Sequence, residues 1–243
     1  MTAKISVVVP AFNEERLLGT SLGAIGTALQ AFVERGWACE LIVCDNNSTD
    51  RTAAIARAAG AKLVREPVNQ ISRARNTGAA AALGDWLLFV DADSHPSPEL
   101  FREVAEAIAG GRCLAGGATV AFDSRHPVVR LWLALWNATS RLARWAAGSF
   151  IFCEAAAFRA VGGFSEALYA GEEIDFFRRL KRLARRQGRG IVILHRHPLR
   201  TSDRKLRLYR WREHLRFLAK TFLTGGRTLR RREDCSVWYD GRR

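Results

Sequence analysis

Trp86-Leu87-Leu88-Phe89-Val90-Asp91-Ala92-Asp93 sets five apolar residues directly against a pair of acids. A run of that length without polar alternation reads as a strand buried on both faces, as in parallel sheets covered by helices. Its carboxyl end is where open sheets of that kind hold their ligands. Toward the N-terminus the pattern repeats. Ile5-Ser6-Val7-Val8-Val9 is another buried strand, ended by Pro10, which cannot donate to a central ladder. A helix should follow, with Asn13 as N-cap and Glu14 and Glu15 in its first turn. It continues through Leu17, Leu18, Leu22, Ile25, Leu29, Phe32 and Val33 at three-and-four spacing, and Gly36 stops it. Leu41-Ile42-Val43-Cys44 is a further strand, and the turn-and-cap cluster Asp45-Asn46-Asn47-Ser48-Thr49-Asp50 opens an alanine-rich helix to Gly60. Residues 61–65 make a short strand and 72–82 a helix. This rhythm predicts right-handed crossovers and a doubly wound, mostly parallel α/β sheet with flanking helices. Three polar clusters, at 11–14, 45–50 and 91–93, then share one sheet edge.

The second half is less regular. Residues 113–122 are strand-like, 128–147 form an amphipathic helix carrying Trp132, Trp136 and Trp145, 149–153 are apolar and 155–161 helical. Gly162-Gly163-Phe164 is a turn, 172–186 a helix with a basic far end, and Ile191-Val192-Ile193-Leu194 a last strand ending at His195. With no repeat and no low-complexity linker, one catalytic domain over 1–200 and a basic helical extension over 201–243, packed on or next to it, is the economical division.

The 243 residues are 48% hydrophobic and 26% charged, a globular mixture. Five cysteines without a C-x-x-C pair argue against a disulfide framework or a thiolate zinc site. No apolar stretch approaches the ~20 residues of a bilayer span, and the N-terminus lacks the order of a secretion signal, so a cytoplasmic location is expected. The net charge of +14 is uneven: 16 basic and 19 acidic residues in 1–175, 22 and 5 in 176–243. A body that works with carboxylates and a tail that meets something anionic are implied.

Asp91-Ala92-Asp93 places two carboxylates on one side of an extended strand end by period-two geometry. Hard cations such as Mg²⁺ or Mn²⁺ are typically held by one or two carboxylates plus a substrate's phosphates, so a metal-diphosphate site fits.

Six ordered motifs now carry a resemblance. Val7-Val8-Val9-Pro10-Ala11-Phe12-Asn13-Glu14, Val43-Cys44-Asp45-Asn46-Asn47-Ser48-Thr49-Asp50, Ala74-Arg75-Asn76-Thr77-Gly78, Leu88-Phe89-Val90-Asp91-Ala92-Asp93, Val161-Gly162-Gly163-Phe164 and Gly171-Glu172-Glu173-Ile174-Asp175 resemble the successive signatures of family-two glycosyltransferases, over about 1–195. The resemblance implies a GT-A, Rossmann-like fold and inverting transfer of a sugar from a nucleoside diphosphate, UDP in the first instance, to an acceptor hydroxyl. It places Pro10, Ala11, Asn13 and Glu14 at the nucleoside, Asp45 at the base and Arg75 near base or diphosphate. Asp91, Ala92 and Asp93 would form the metal-diphosphate turn, with Asp93 and Asp91 on Mn²⁺ or Mg²⁺. A histidine late in the chain sometimes completes the metal shell in the resembling fold, so His197, which with His195 flanks Arg196, reads either as a further metal ligand on the same basis or as part of a polar strand-to-loop transition before Pro198.

The acceptor hydroxyl needs a carboxylate to take its proton, an aid worth roughly 10²–10⁴ in rate. Glu172 and Glu173 open a helix, where the N-terminus favours an ionised acid. The family's pattern is usually Glu-Asp with the Asp as base, which makes Glu173 the base and Glu172 the fallback. Asp175, with Arg178 and Arg179, reads as structural or acceptor-side. Residues 201–205 could form a loop whose Arg204 and Lys205 fold over the diphosphate.

The tryptophan helix, with Arg130, Arg141 and Arg144, reads either as core against the sheet or as a peripheral membrane contact. A lipid-linked acceptor at the cytoplasmic face would account for it and for the basic tail. Two other functions compete. Nucleotidyl transfer to a sugar phosphate would want a glycine-rich basic loop after the first strand, where residues 10–16 supply acids. A basic nucleic-acid or membrane-surface module on a catalytically silent fold would draw on the tail, but no nucleic-acid recognition motif is present.

Overall fold

A computed structural model describes residues 2–122, 127–202, 220, 224 and 227–235. Its strands are β1 (Lys4–Ala11), β2 (Ala38–Asp45), β3 (Lys62–Arg65), β4 (Trp86–Val90), β5 (Ser94–His95), β6 (Cys113–Ala121), β7 (Phe150–Glu154) and β8 (Gly190–Thr201). They form one sheet in the order β3-β2-β1-β4-β7-β6-β8-β5. The strands β1 to β4, β6 and β8 run in one direction, with β7 and β5 opposed. This is the expected doubly wound, mostly parallel α/β architecture.

Among the described residues seven α-helices accompany it: α1 (Leu18–Val33), α2 (Thr52–Ala58), α3 (Ile71–Ala80), α4 (Pro98–Ala109), α5 (Pro127–Ala143), α6 (Ala155–Ala160) and α7 (Glu172–Arg186). Alternate strand residues feed opposite faces. Val7, Val9, Leu88 and Val90 pack with α1 and α4 in one core, whereas Val8, Leu87 and Phe89 pack with α6 and α7 in the other. Burial on both sides is why these strands read as continuous apolar runs.

The sheet has to curl. Strands β4 and β5 are four steps apart, about 19 Å if flat at ~4.8 Å per step. Yet only residues 91–93 join them, and a chain that short spans at most ~14 Å from Val90 to Ser94. The three intervening strands therefore wrap back toward the Asp91–Asp93 connection.

Three local expectations are corrected. Pro10 does not end β1, which runs to Ala11 with Pro10 level with Cys44. The Ala11 carbonyl accepts from Asn46 N–H on the β2 side, so Pro10 faces β4, where pairing stops at Val8. Its missing N–H costs no ladder bond.

Asn13 is not a helix cap, since α1 starts at Leu18. Asn13 sits in the left-handed region at φ 51°, and its side-chain oxygen accepts from Thr49 N–H at 2.8 Å. Its own N–H donates to Ser48 Oγ, and that of Glu14 to Thr52 Oγ1. The Asn13 side chain and the N–H groups of residues 13–15 stitch one loop to the next, and the helix start is met instead by the Glu14 carbonyl, which accepts from Leu17 and Leu18 N–H. Glu14 and Glu15 consequently precede α1.

The last strand does not stop at His195. Strand β8 continues to Thr201, but between Leu194 and Leu199 it advances five residues while β6 advances two. Residues 195–198, four against the single β6 residue Thr119, form the bulge and are exposed.

Candidate active site

Adjacent strand ends bring the expected clusters together. Asp45 is level with Ala11 on β1. Extending the β1–β4 register sets Asp91 level with Pro10. Two strand spacings of about 4.8 Å separate the two acids, roughly 10 Å.

The Asp91–Asp93 segment is a turn, not an extended strand end: Ser94 N–H bonds back to the Asp91 carbonyl at 3.1 Å. The period-two argument for its carboxylates therefore does not apply. Ala92 is buried in the core beneath the turn. Ser202 N–H donates to the Asp93 carbonyl, so the end of β8 returns to the same point.

Arg75, on α3, is the centre of the site. Helix α3 lies directly on β1, because a Cβ at Gly78 would stand 2.4 Å from Val8 Cγ1. That close approach buries Arg75 to 2% exposure. Its Nη1 donates to Glu172 Oε1 at 2.8 Å, and its Nη2 donates to Asp91 Oδ1 at 3.1 Å and to the Gly148 carbonyl at 2.8 Å. The guanidinium also stacks over the Phe164 ring at 5.1 Å. Residues from four segments thus converge on one cation.

Glycine 171 adopts φ 72° and turns the chain into α7, whose first turn carries Glu172, Glu173 and Asp175. Phe176 and Phe177 anchor that turn in the core, with Phe176 4.3 Å from Phe164. The two glutamates differ sharply. Glu172 is buried at 5% and ion-paired to Arg75. Burial first, and the Glu173 charge next, push its carboxyl up to about 8 against the pull of Arg75. One guanidinium cannot neutralise Asp91, Glu172 and Glu173 together, so the direction follows from charge counting. Glu173 is only half-buried, and its carboxyl carbon lies 3.7 Å from where a Gly148 Cβ would be. Asp175 pairs with Arg179, which holds the Val161 and Gly163 carbonyls, a structural clamp.

Asp45 is 7% exposed, and its Oδ1 accepts from Ser48 N–H at 3.1 Å. It borders a cleft of about 380 Å³ shared with Ser48, Arg57, Leu63 and Arg65. Pro10 and Ala11 are buried at the end of β1, and Glu14 is 6% exposed beside α2.

A divalent cation suits the acids at the β4 end. Asp91 Oδ1 is taken by Arg75, while Oδ2 has no hydrogen-bond partner among the described residues and the side chain is 22% exposed. No group of three or more His, Cys, Asp or Glu among the described residues could hold a metal by itself. Such a donor set matches Mg²⁺ or Mn²⁺, which complete their shell with phosphate oxygens and water. His197 lies in the β8 bulge with Nδ1 2.6 Å from Glu103 Oε1 on α4. Arg204 and Lys205 fall outside the described residues.

Some contributors carry little sequence signal. Asn76 brackets Phe164, donating to its carbonyl and accepting from its N–H, and so fixes the turn before α7. Its place in the Ala74–Gly78 motif was the available clue. Leu229 accepts from Tyr169 N–H at 2.7 Å and reaches within 3.6 Å of a Cβ at Gly171. Part of the basic C-terminal stretch therefore lies beside the acids of α7.

Residues 6–162 match the profile of glycosyl transferase family 2. A dolichol-phosphate mannosyltransferase from Pyrococcus furiosus is 32% identical over 123 residues, 47% of this chain and 33% of that protein. Among solved structures, TarS (1–349) of S. aureus aligns with TM-score 0.66 at 22% identity, covering 83% of this chain and 61% of that one. Glucosyl-3-phosphoglycerate synthase from Mycobacterium tuberculosis, solved with Mn²⁺, UDP and phosphoglyceric acid, aligns with TM-score 0.62 at 22% identity, covering 91% and 76%. The fold is GT-A. The chain spans between about a quarter and about half the length of the curated relatives it matches.

Proposed function

The chain belongs to glycosyl transferase family 2, and from that premise we propose that it transfers a sugar from a UDP-sugar to an acceptor hydroxyl with inversion at the anomeric carbon. The observation that carries this reading is the pair of ion pairs through which Arg75 ties Asp91, after β4, to Glu172, at the head of α7. A donor-side acid and an acceptor-side acid are held in one frame around Gly148.

The nucleoside would lie across the ends of β1 and β2. Asp45 bonds the base, and Pro10, Ala11, Asn13 and Glu14 shape the pocket. Asp91 and Asp93 would hold Mn²⁺ or Mg²⁺ against the diphosphate, while His197, its Nδ1 2.6 Å from Glu103 Oε1 on α4, stays outside that pair. A cation held by these carboxylates would supply positive charge to offset the negative charge on the departing UDP. Arg75 keeps the Asp91–Asp93 turn in place and adds positive potential near that charge.

Glu173 is the base. The acceptor oxygen attacks the anomeric carbon from the face opposite the diphosphate, the bond from that carbon to the diphosphate oxygen breaks, and the hydroxyl proton passes to the Glu173 carboxylate. Glu172, buried and committed to Arg75, positions α7 instead. Arg204 and Lys205 are candidates to close over the diphosphate, and a lipid-linked alcohol is a candidate acceptor.

The test is UDP release from UDP-glucose and UDP-N-acetylglucosamine against an array of sugar and lipid-linked sugar acceptors bearing free hydroxyls, with the product's anomeric configuration read by NMR. Metal-dependent turnover with inversion, abolished in Glu173→Gln, supports the reading. Retention of configuration, or full turnover in Glu173→Gln, contradicts it.

A further inference from the structure

Helix α5 is apolar on both sides. On the inner side Leu133 and Trp136 pack against the sheet core, and Asn137 pins the helix through two hydrogen bonds to the Val120 backbone. The outer side of an ordinary surface helix is polar. On α5, at 100° per residue, Leu131, Leu135, Ala138 and Leu142 share an arc of roughly 60° opposite Leu133 and Ser140. The three leucines are 63%, 61% and 87% exposed, and Trp132 beside them is 51% exposed while stacking on Trp136. Four of the seven exposed large apolar side chains among the described residues therefore sit on this one helix. The other three, Val33, Val68 and Leu83, lie on separate elements and need no explanation.

The charge on the helix itself has one sign. Residues 127–143 include no acid, and Arg130 and Arg141 are exposed along the ridge. Exposed Arg144 follows the helix. Lys181, on α7, donates to the Ala143 carbonyl and lies 5.2 Å from the centre of the Trp145 ring. Its ammonium is pushed down by burial, then by the nearby charges of Arg185 and Arg144, which places those three cations together at the end of α5.

No helix among the described residues is long and apolar enough to cross a bilayer. A helix with a leucine ridge and flanking arginines is instead suited to lying in an interface. We propose that the outer face of α5 docks on an anionic phospholipid membrane, with Leu131, Leu135 and Leu142 at the acyl boundary and Arg141, Arg144 and Arg185 against lipid phosphates. A second copy of this chain is a poorer occupant. A two-fold contact would set α5 against α5, with arginines facing arginines and no acid in the helix to pair them. The inference is independent of the transfer reaction.

The test is co-sedimentation of the full chain with vesicles of phosphatidylcholine alone or mixed with phosphatidylglycerol, over a salt series. The mixed vesicles should bind the chain in a salt-sensitive way. Leu135→Glu with Leu142→Glu should weaken that binding by roughly tenfold or more at unchanged melting temperature, since neither leucine is packed. Arg141→Gln with Arg144→Gln should weaken binding to the mixed vesicles only. No vesicle binding by the parent, or binding unaffected in the double-Glu variant, would overturn the proposal. So would a lowered melting temperature in that variant, which would mean the chain's own residues cover the face. Concentration-dependent self-association that the same variant abolishes would assign the face to a second copy and overturn it equally.

Discussion

Arg75 Nη1 lies 2.8 Å from Glu172 Oε1, joining residues 97 positions apart. Both side chains are buried, and the same guanidinium holds Asp91. Removing the cation would leave acids in a site with little water to compensate them. Above pH 8, where Glu172 is ionised, Arg75→Ala is expected to cost roughly 3–5 kcal/mol in unfolding free energy, the range for breaking a buried ion pair. Urea denaturation monitored by tryptophan fluorescence measures it. A cost comparable to a surface ion pair would mean that Asp91 and Glu172 are solvated without Arg75. Arg75→Lys should recover only part of the loss, because one ammonium cannot reproduce the fork that spans both acids.

The raised Glu172 carboxyl has a pH signature. Its ordinary value is 4.5 and its folded value about 8, so between these the folded state keeps a proton that the unfolded state has lost. Stability contributed by this group therefore falls as pH rises through that window. In metal-free buffer, Glu172→Gln is expected to flatten the decline in melting temperature from pH 5 to pH 8. An unchanged slope would show that Glu172 titrates normally.

At Gly78 the constraint is steric. A methyl group there meets Val8 Cγ1 at 2.4 Å, on a fully buried strand. Gly78→Ala should destabilise by about 1–3 kcal/mol as α3 is pushed off β1. Because α3 carries Arg75, nucleotide affinity should fall with it, which calorimetry can compare with the loss in stability.

For the base, Glu173→Gln should leave UDP binding nearly unchanged while turnover drops roughly 10²–10⁴-fold. If Glu172→Gln produces that split and Glu173→Gln does not, the proton goes to the buried acid.

Much of this is legible in the sequence. Strand β4 and helix α7 have the boundaries that their apolar run and acidic opening suggested, since burial on both faces and a glycine-led helix start both leave direct sequence marks. The clustering of Asp45 and Asp91 at one edge followed from strand order. What escaped was long-range use of short polar groups. Asn13 looked like a cap because caps and loop-to-loop stitches employ the same residues, and only tertiary context separates them. The continuation of β8 past His195 was hidden by a bulge whose exposed residues look like a loop. The tryptophan stripe divided in a way that composition could not foretell: Trp136 packs inward and Trp132 outward.

The central claim is a metal-dependent nucleotide site at the ends of β1, β2 and β4. Calorimetric titration of the full chain with UDP, GDP, dTDP and ADP, each with and without Mn²⁺, tests it most directly. UDP should bind in preference to the others, only when Mn²⁺ is present, and Asp93→Ala should abolish that binding without unfolding the protein. No binding of any nucleotide with Mn²⁺, or UDP binding that ignores both the metal and Asp93→Ala, would contradict the account.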